Sequence, residues 1–339
     1  MKLKRIAIDT SKHVFTLHGV DRAERPVLRR ELKRGQVAAF FAKQEPTEVV
    51  LEACGSAHHW GRVLSGLGHR VKLIPPQYVK PFVKRGKNDR NDAEAISEAA
   101  SRPTMRFVPV KSAERQADLT VLRVRELLVK QRTQLVNALR GHAAEFGIVT
   151  AKGVGNAAEL ATRVAADPAV PAAAREMIAL LGQEIAHLDA RLAEFAEKLA
   201  ALHRANPMSR LLAEVPGIGP IGALTLALTI DAEAFRSGRH LAAWIGLTPR
   251  EHSTGGKHRL GAISREGNER LRQLLVLGAT SVIKVAAKPG HRHATAWLTG
   301  LLERRPRRVA AVALANKMAR IVWAMMTSGE AYRQPPVAA

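Results

Sequence analysis

Cysteine is nearly missing from this chain of 339 residues: there is one, Cys54. A single cysteine excludes an intrachain disulfide and a cysteine-rich zinc site, and it fits a reducing compartment. A small, buried residue is the expected setting for Cys54. Aromatic residues are also sparse, at 4%, too few for the base-stacking platforms of proteins that hold single strands. No uninterrupted apolar stretch is long enough to span a bilayer. The basic start Met1-Lys2-Leu3-Lys4-Arg5 turns polar too soon for a signal peptide. Acidic residues are the last shortage: 30 Asp and Glu stand against 53 Lys and Arg, a formal net charge of +23. That surplus favours a polyanionic partner, nucleic acid ahead of an anionic membrane. With so few aromatics, the charge suits backbone contacts on a duplex or a folded RNA.

What is present is a folded protein. Hydrophobic residues make up 46% of the chain, enough for two or three domains with their own cores. The pattern divides into residues 1–112, 113–206 and 207–330. The first part reads as α/β. Strands are expected at Leu3–Ile8, Val14–Val20, Val27–Leu32, Glu48–Glu52 and Val71–Ile74, with the polar turn Asp21-Arg22-Ala23-Glu24 between the second and third. Helices are expected at Gln36–Lys43 and Trp60–Leu67, the latter stopped by Gly68. The second part is helical. Leu119, Leu122, Val129, Leu135, Val136 and Leu139 recur at helical spacing before Gly147, and Ile178, Leu181, Ile185, Leu188, Leu192, Phe195 and Leu199 mark a second long helix over Ala172–His203. Residues 148–171, rich in Gly, Ala and Pro, read as a connector. The two long helices fit an antiparallel hairpin, a dimer-forming coiled coil or a plain bundle. The third part is expected to be helical from Leu211 to Ser328, with a loose tail from Tyr332 to Ala339.

Four carboxylates stand out in this basic chain. Asp9 follows the apolar run Ile6-Ala7-Ile8, Glu52 ends Glu48-Val49-Val50-Leu51, and Asp89 and Asp92 lie three apart where a helix opens. Hard divalent cations take oxygen ligands and keep several waters, so a few carboxylates make a site. Two such cations stabilise both oxygens of a phosphodiester exchange. Each acid also has an ordinary explanation: Asp9 as a turn residue, Asp89 as a helix cap, Asp92 as a first-turn acid.

A second constellation lies in Gly246-Leu247-Thr248-Pro249-Arg250-Glu251-His252-Ser253-Thr254-Gly255-Gly256-Lys257, read as a polar loop after the apolar helix His240–Ile245 and followed by His258, Arg259 and Arg265. Adjacent glycines let a backbone approach phosphate. A hydroxyl there becomes a nucleophile if a base or metal activates it; otherwise Ser253 and Thr254 are turn residues. Val215-Pro216-Gly217-Ile218-Gly219-Pro220-Ile221-Gly222 resembles the hairpin of helix–hairpin–helix modules, making Gly217, Gly219 and Gly222 candidates for phosphate contact; a plain helix stop and restart explains the same residues. Lys84, Arg85 and Lys87, within the basic stretch Lys80–Arg90, would steer a phosphate backbone towards the acids, as would Lys257, Arg259 and Arg265 beside the hydroxyls. Arg304-Arg305-Pro306-Arg307-Arg308 is a further basic patch, which a solvated face also explains. His58-His59 and His291-Arg292-His293 read as polar surface.

Taken together, Ile8-Asp9-Thr10-Ser11-Lys12, Leu51-Glu52-Ala53-Cys54-Gly55 and Lys87-Asn88-Asp89-Arg90-Asn91-Asp92-Ala93 resemble the three acidic motifs of DEDD-type transposases of bacterial insertion sequences, a family also described as bridge-RNA-guided recombinases. The resemblance continues into the C-terminal region. It implies an RNase H-like (RuvC-type) N-terminal domain whose tetrad Asp9, Glu52, Asp89 and Asp92 holds Mg²⁺ (or Mn²⁺). It further implies a C-terminal domain whose serine forms a phosphoserine link to DNA. Ser253 is the better nucleophile chemically, while an ungapped count from Gly246 places the family's serine on Thr254. The implied partners are donor and target DNA, a guide (bridge) RNA and further copies of the chain, as a dimer or tetramer whose active sites are shared. The implied place is the bacterial cytoplasm, at the nucleoid. Two rival readings remain: a metal-dependent junction resolvase that uses water, and a nucleic-acid-binding protein without catalysis.

Overall fold

The computed structural model describes residues 3–84, 88–287, 291 and 293–334. The chain divides into two compact units, Met1–Ala117 and Asp118–Ala339.

In the first unit β1 (Arg5–Thr10), β2 (Val14–Val20) and β3 (Pro26–Lys33) form an antiparallel meander. The Asp21 carboxylate accepts the N–H groups of Ala23 and Arg25, which closes the turn expected there. After α1 (Val37–Phe41), β4 (Glu48–Glu52) lies parallel to β1 on its free side. Then α2 (Ala57–Gly66) leads to β5 (Arg70–Ile74), parallel to β4. The sheet order is β3-β2-β1-β4-β5. A short α3 (Pro76–Val79) and the longer α4 (Asp89–Ser101) follow. A five-stranded mixed sheet with helices fits the RNase H-like arrangement that the acidic motifs imply.

The central strands show no polar alternation because both faces of the sheet are covered. Ile6 and Ile8 of β1 and Val49 and Leu51 of β4 pack with Phe15, Phe41, Trp60 and Leu64 on one face. Ala7 and Val50 pack with Ile74, Ile96 and Ala99 on the other, under α4. Each fully buried aliphatic side chain contributes roughly 1.5–3 kcal/mol. Side chains alternate along a strand, so Asp9 shares the face of Ala7, and Glu52 the face of Val50. The fold thus sends both acids towards α4. Cys54, just past β4, is exposed, contrary to the buried setting expected: its thiol meets the Thr10 hydroxyl at 3.2 Å on the surface beyond the strand ends.

In the second unit α5 (Ala113–Ala144) and the later α7 carry the two expected stripes. Residues 148–171 are not a bare connector, because they contain α6 (Ala157–Ala166). Leu160 and Val164, four residues apart, are buried with Val170 against Ile178 and Ile185 of α7 (Ala172–Ala205). Alanine-rich composition reads as a linker, yet alanine is the strongest helix former. Leu119 clusters with Leu199, Leu128 with Leu188 and Leu192, and Val136 with Ile178 and Ile185. These pairs run in opposite order, so α5 and α7 are antiparallel.

Next come α8 (Pro207–Leu212), α9 (Pro220–Thr229) and α10 (Gly238–Trp244), then β6 (Pro249–Glu251) and β7 (Leu260–Ile263), and finally α11 (Glu269–Ala286), α12 (Ala296–Arg304) and α13 (Arg307–Ser328). The β6–β7 hairpin corrects the all-helical expectation for this part. Among the described residues, α13 alone is long and apolar enough to cross a membrane. Ala315, Met318, Val322 and Met325 place it in the helical core with Leu212, Leu241, Leu271 and Leu275, and Lys317 and Arg320 interrupt its apolar run.

Candidate active site

Three of the four acids converge. Asp9, Asp89 and Asp92 each offer a carboxylate oxygen within 4.8 Å of the others. β1 and β4 deliver Asp9 and Glu52 side by side, since Ile8 pairs with Leu51 in the parallel register. The start of α4 delivers the other two. Its N-cap is Asn88, whose side-chain oxygen accepts the Asn91 N–H at 2.8 Å. Asp89 is therefore not needed as the cap, the ordinary explanation for it.

The electrostatics agree with crowding. Asp9 is pushed up to about 6, first by burial and then by the charges of Asp89, Asp92 and Glu52. Glu52 is raised too, by burial and then by Asp92. Its response to Asp92 ties it to the cluster, although it stands outside the tight trio. Among the described residues no ion pair reaches any of the four. Hard oxygen donors that repel one another and lack a cation suit a divalent metal.

Charged residues of both signs line the neighbouring part of the sheet. Asp9 pairs across the sheet with Thr16, and Thr16 with Glu31, so these residues share one face. A cavity of about 620 Å³ opens there, lined by Asn88 and Asn91 and by Arg29 and Arg90, which pair with Glu94 and Glu31 of the same lining. The first turn of α4 thus turns its aspartates to the acid cluster while Asn91 and the N-cap Asn88 line this cavity of mixed charge. Arg90 ends the basic stretch expected to steer phosphate. Arg29 carries no such signal in the sequence; strand pairing sets it opposite His18, two strands from Ala7. Lys84 is tied to Glu94 at 2.6 Å. Arg85 and Lys87 lie outside the described residues, as do Met1, Lys2, Arg292 and the tail from 335. His58 is half-buried rather than plain surface, and its Nδ1 accepts the Lys111 N–H.

The hydroxyl segment belongs to the second unit. It is a hairpin: Pro249 pairs with Ile263 and Glu251 with Leu260. The His252 N–H donates to the Arg259 carbonyl at 2.8 Å. The next rung joins Thr254 and Lys257, whose N–H groups donate to each other's carbonyls. Gly255 and Gly256 between them have φ of +52° and +77°, the pair of left-handed residues that a two-residue type I′ turn requires. Ser253 therefore sits outside the turn proper. Its hydroxyl donates to Glu251 Oε1 at 2.8 Å and accepts the Arg259 N–H at 3.2 Å. Thr254 is the residue from which the turn springs. Lys257 and Arg259 are exposed beside this turn, and Arg265 is exposed at the other end of the hairpin, where its N–H donates to the Gly246 carbonyl. Glu251 carries no signal of its own in the sequence, and only the hairpin shows its contact with Ser253.

The glycines of the turn before α9 differ in what they do. Gly217 has φ of +86°, and a Cβ there would lie 2.6 Å from the Gly278 carbonyl oxygen. Close packing against α11 thus accounts for it. Gly219 is the N-cap residue of α9 with open space around it, and Gly222 lies in that helix's first turn.

The geometry meets the comparisons at this point. A family described as Transposase IS116/IS110/IS902 family matches residues 209–294, and the IS110-type DEDD family, described as Transposase, matches residues 6–147. The chain is 57% identical to the putative transposase y4pF/y4sB of Sinorhizobium fredii, over 97% of this chain and 86% of that protein. It is 50% identical to a probable family 20 transposase of Pseudomonas aeruginosa, over 98% and 99%. It is 40% identical to the transposase for insertion sequence element IS1111A of Coxiella burnetii, over 98% and 92%. The chain belongs to the IS110/IS116 family of DEDD-type transposases. It is thus a DNA-cleaving and rejoining enzyme of an insertion element, and its DEDD domain implies a divalent metal, which the convergent carboxylates of this transposase fit.

Proposed function

We propose that this transposase cuts and rejoins DNA through a phosphoserine intermediate, with Mg²⁺ (or Mn²⁺) held by Asp9, Glu52, Asp89 and Asp92. The observation that carries this reading is the convergence of Asp9, Asp89 and Asp92 with no cation among the described residues to neutralise them. The metal, when bound, withdraws charge from the scissile phosphate. Ser253 supplies the attacking oxygen. A covalent protein–DNA link conserves the energy of the phosphodiester, so rejoining needs no nucleotide triphosphate. Its hydrogen bonds to Glu251 and Arg259 favour Ser253 over Thr254, whose backbone builds the turn.

Donor and target DNA are the substrates, guided by a structured bridge RNA. The net charge of +23 supports contact with polynucleotide backbones. Lys84, Arg85 and Lys87 act near the acids, and Lys257, Arg259 and Arg265 near Ser253. Gly219 and Gly222 offer first-turn amides to phosphate, as in a helix–hairpin–helix module; Gly217 serves that turn by packing. Residues 1–112 act as the metal-binding domain, 113–206 as an oligomerising coiled coil and 207–330 as the serine domain. The working form is a dimer or tetramer in the bacterial cytoplasm, at the nucleoid.

Trapping the protein–DNA adduct tests the nucleophile. The adduct is expected to vanish with Ser253→Ala and to survive Thr254→Ala. The reverse pattern would overturn the assignment, and cutting by the unaltered protein without any adduct would favour attack by water. Sequencing the RNA that co-purifies with the protein tests the guide.

A further inference from the structure

We infer that Glu251 is the base that removes the Ser253 proton, an inference that rests on Ser253 being the nucleophile. Three observations carry it. First, the two side chains lie two residues apart on one strand edge, hence on one face, and the serine hydroxyl donates to Glu251 Oε1 at 2.8 Å. Thr254, one residue further, alternates to the opposite face. Second, the Arg259 N–H donates to the same hydroxyl at 3.2 Å. A serine oxygen has two lone pairs. One is taken by Arg259, the proton points to the carboxylate, and the other lone pair is left for phosphorus. The hairpin holds the hydroxyl in the orientation of attack before DNA arrives.

Third, Glu251 stands alone. It is the one acidic residue between Glu233 and Glu266, a stretch that holds Arg236, Arg239, Arg250, Lys257, Arg259 and Arg265. A carboxylate on a surface built to meet phosphate repels its substrate, so its place there calls for a chemical reason. Its ion-pair partner among the described residues is His258, whose Nδ1 lies 3.8 Å from Oε1 and is charged only when protonated; Arg250 turns away to the Ser264 carbonyl. Taking the serine proton removes the repulsion at the moment the phosphate is engaged.

The Ser253 oxygen forms its bond to phosphorus as its proton passes to Glu251, and the bond from phosphorus to the leaving deoxyribose oxygen breaks. That oxygen takes a proton from solvent and Glu251 returns one to solvent, so none is gained or lost. Rejoining reverses each transfer.

The test uses the full-length protein with its co-purified RNA and labelled DNA carrying the element's joined ends, and reads the rate of adduct formation. Glu251→Gln keeps an acceptor oxygen for Ser253 but loses basicity, and is expected to slow the adduct about 100-fold, within the usual range for general-base catalysis. Glu251→Ala is expected to be equally slow and to recover with added formate, but not with chloride at the same ionic strength. Adduct formation at the unaltered rate in Glu251→Gln, or no recovery with formate, would overturn the proposal. An adduct that forms in Ser253→Ala would instead overturn the nucleophile itself, so the two failures are distinct.

Discussion

Glu48 and Glu52 stand at the two ends of the same strand, β4, and their surroundings are opposite. Glu48 is buried among cations: Lys72 at 2.7 Å, Arg70 at 2.8 Å and Arg5 at 3.9 Å. Glu52, four residues on and on the same face, has Asp92 and Asp9 as its charged neighbours, and burial and Asp92 raise its pKa. Both ends belong to a chain with 53 Lys and Arg, so cations were not in short supply. A carboxylate that serves the fold is given its counter-charge by the fold. One that serves a metal is left without, and neutralisation is deferred to the ion. The comparison separates a structural acid from a chemical one within a single sheet.

The sharpest way to break that contrast is to remove the chemical end. Asp9→Asn or Asp92→Asn is expected to reduce strand transfer on the order of 1,000-fold, the several kcal/mol that a bound metal contributes to such a reaction, while the protein stays folded. Strand transfer assays beside circular dichroism check this. Activity within tenfold of normal in both variants would sink the metal reading.

The structural end should respond the other way. Arg5 is 2% exposed and pairs closely with Glu24, with Glu48 at 3.9 Å and the Ser97 hydroxyl as its further partners. Glu48→Gln removes the buried carboxylate that Lys72, Arg70 and Arg5 share and is expected to cost about 2 kcal/mol of stability, read by urea unfolding. Glu52→Gln, at the other end, is expected to cost none and to impair strand transfer. Equal stability losses at both ends would erase the distinction.

How far the sequence announces this difference depends on the kind of signal. The sheet is legible because Ile6-Ala7-Ile8 and Val49-Val50-Leu51 are short apolar runs with acids at their ends, and a strand buried on both faces reads that way. The two long helices are legible from leucine spacing. The β6–β7 hairpin escapes the sequence reading although Gly255-Gly256 is a known hairpin turn pair, because the β6 and β7 segments are short and exposed and carry no apolar alternation. For α6 the signal is there in Leu160 and Val164, hidden by alanine. The acids themselves are legible by position, but what surrounds them is not. Nothing in the local sequence says that Asn88 caps α4, that Arg29 lines one cavity with Asn88, or that Glu251 meets Ser253; each follows from strand register or a turn.

The smallest expected effect is also the most specific to the contrast. Without metal, burial and its acidic neighbours push Asp9 from its ordinary 3.8 to about 6. A carboxyl raised on folding contributes stability that is full below pH 4 and is lost as pH rises through 6. In EDTA the unaltered protein is therefore expected to lose stability relative to Asp9→Asn between pH 4 and pH 7. A two-unit shift at a fully buried group would amount to nearly 3 kcal/mol; Asp9 is only about half buried, so solvent screening reduces the expected difference to about 1 kcal/mol. Added Mg²⁺ should reverse the loss at pH 7 in the unaltered protein and do less in Asp9→Asn, because the ion supplies the charge that Glu48 already finds in Arg5, Arg70 and Lys72. Thermal melts of the two proteins across that pH range, with and without metal, read the difference directly. Parallel curves in EDTA would mean that Asp9 feels no crowding, and that the end of β4 near Glu52 is as settled as the end at Glu48.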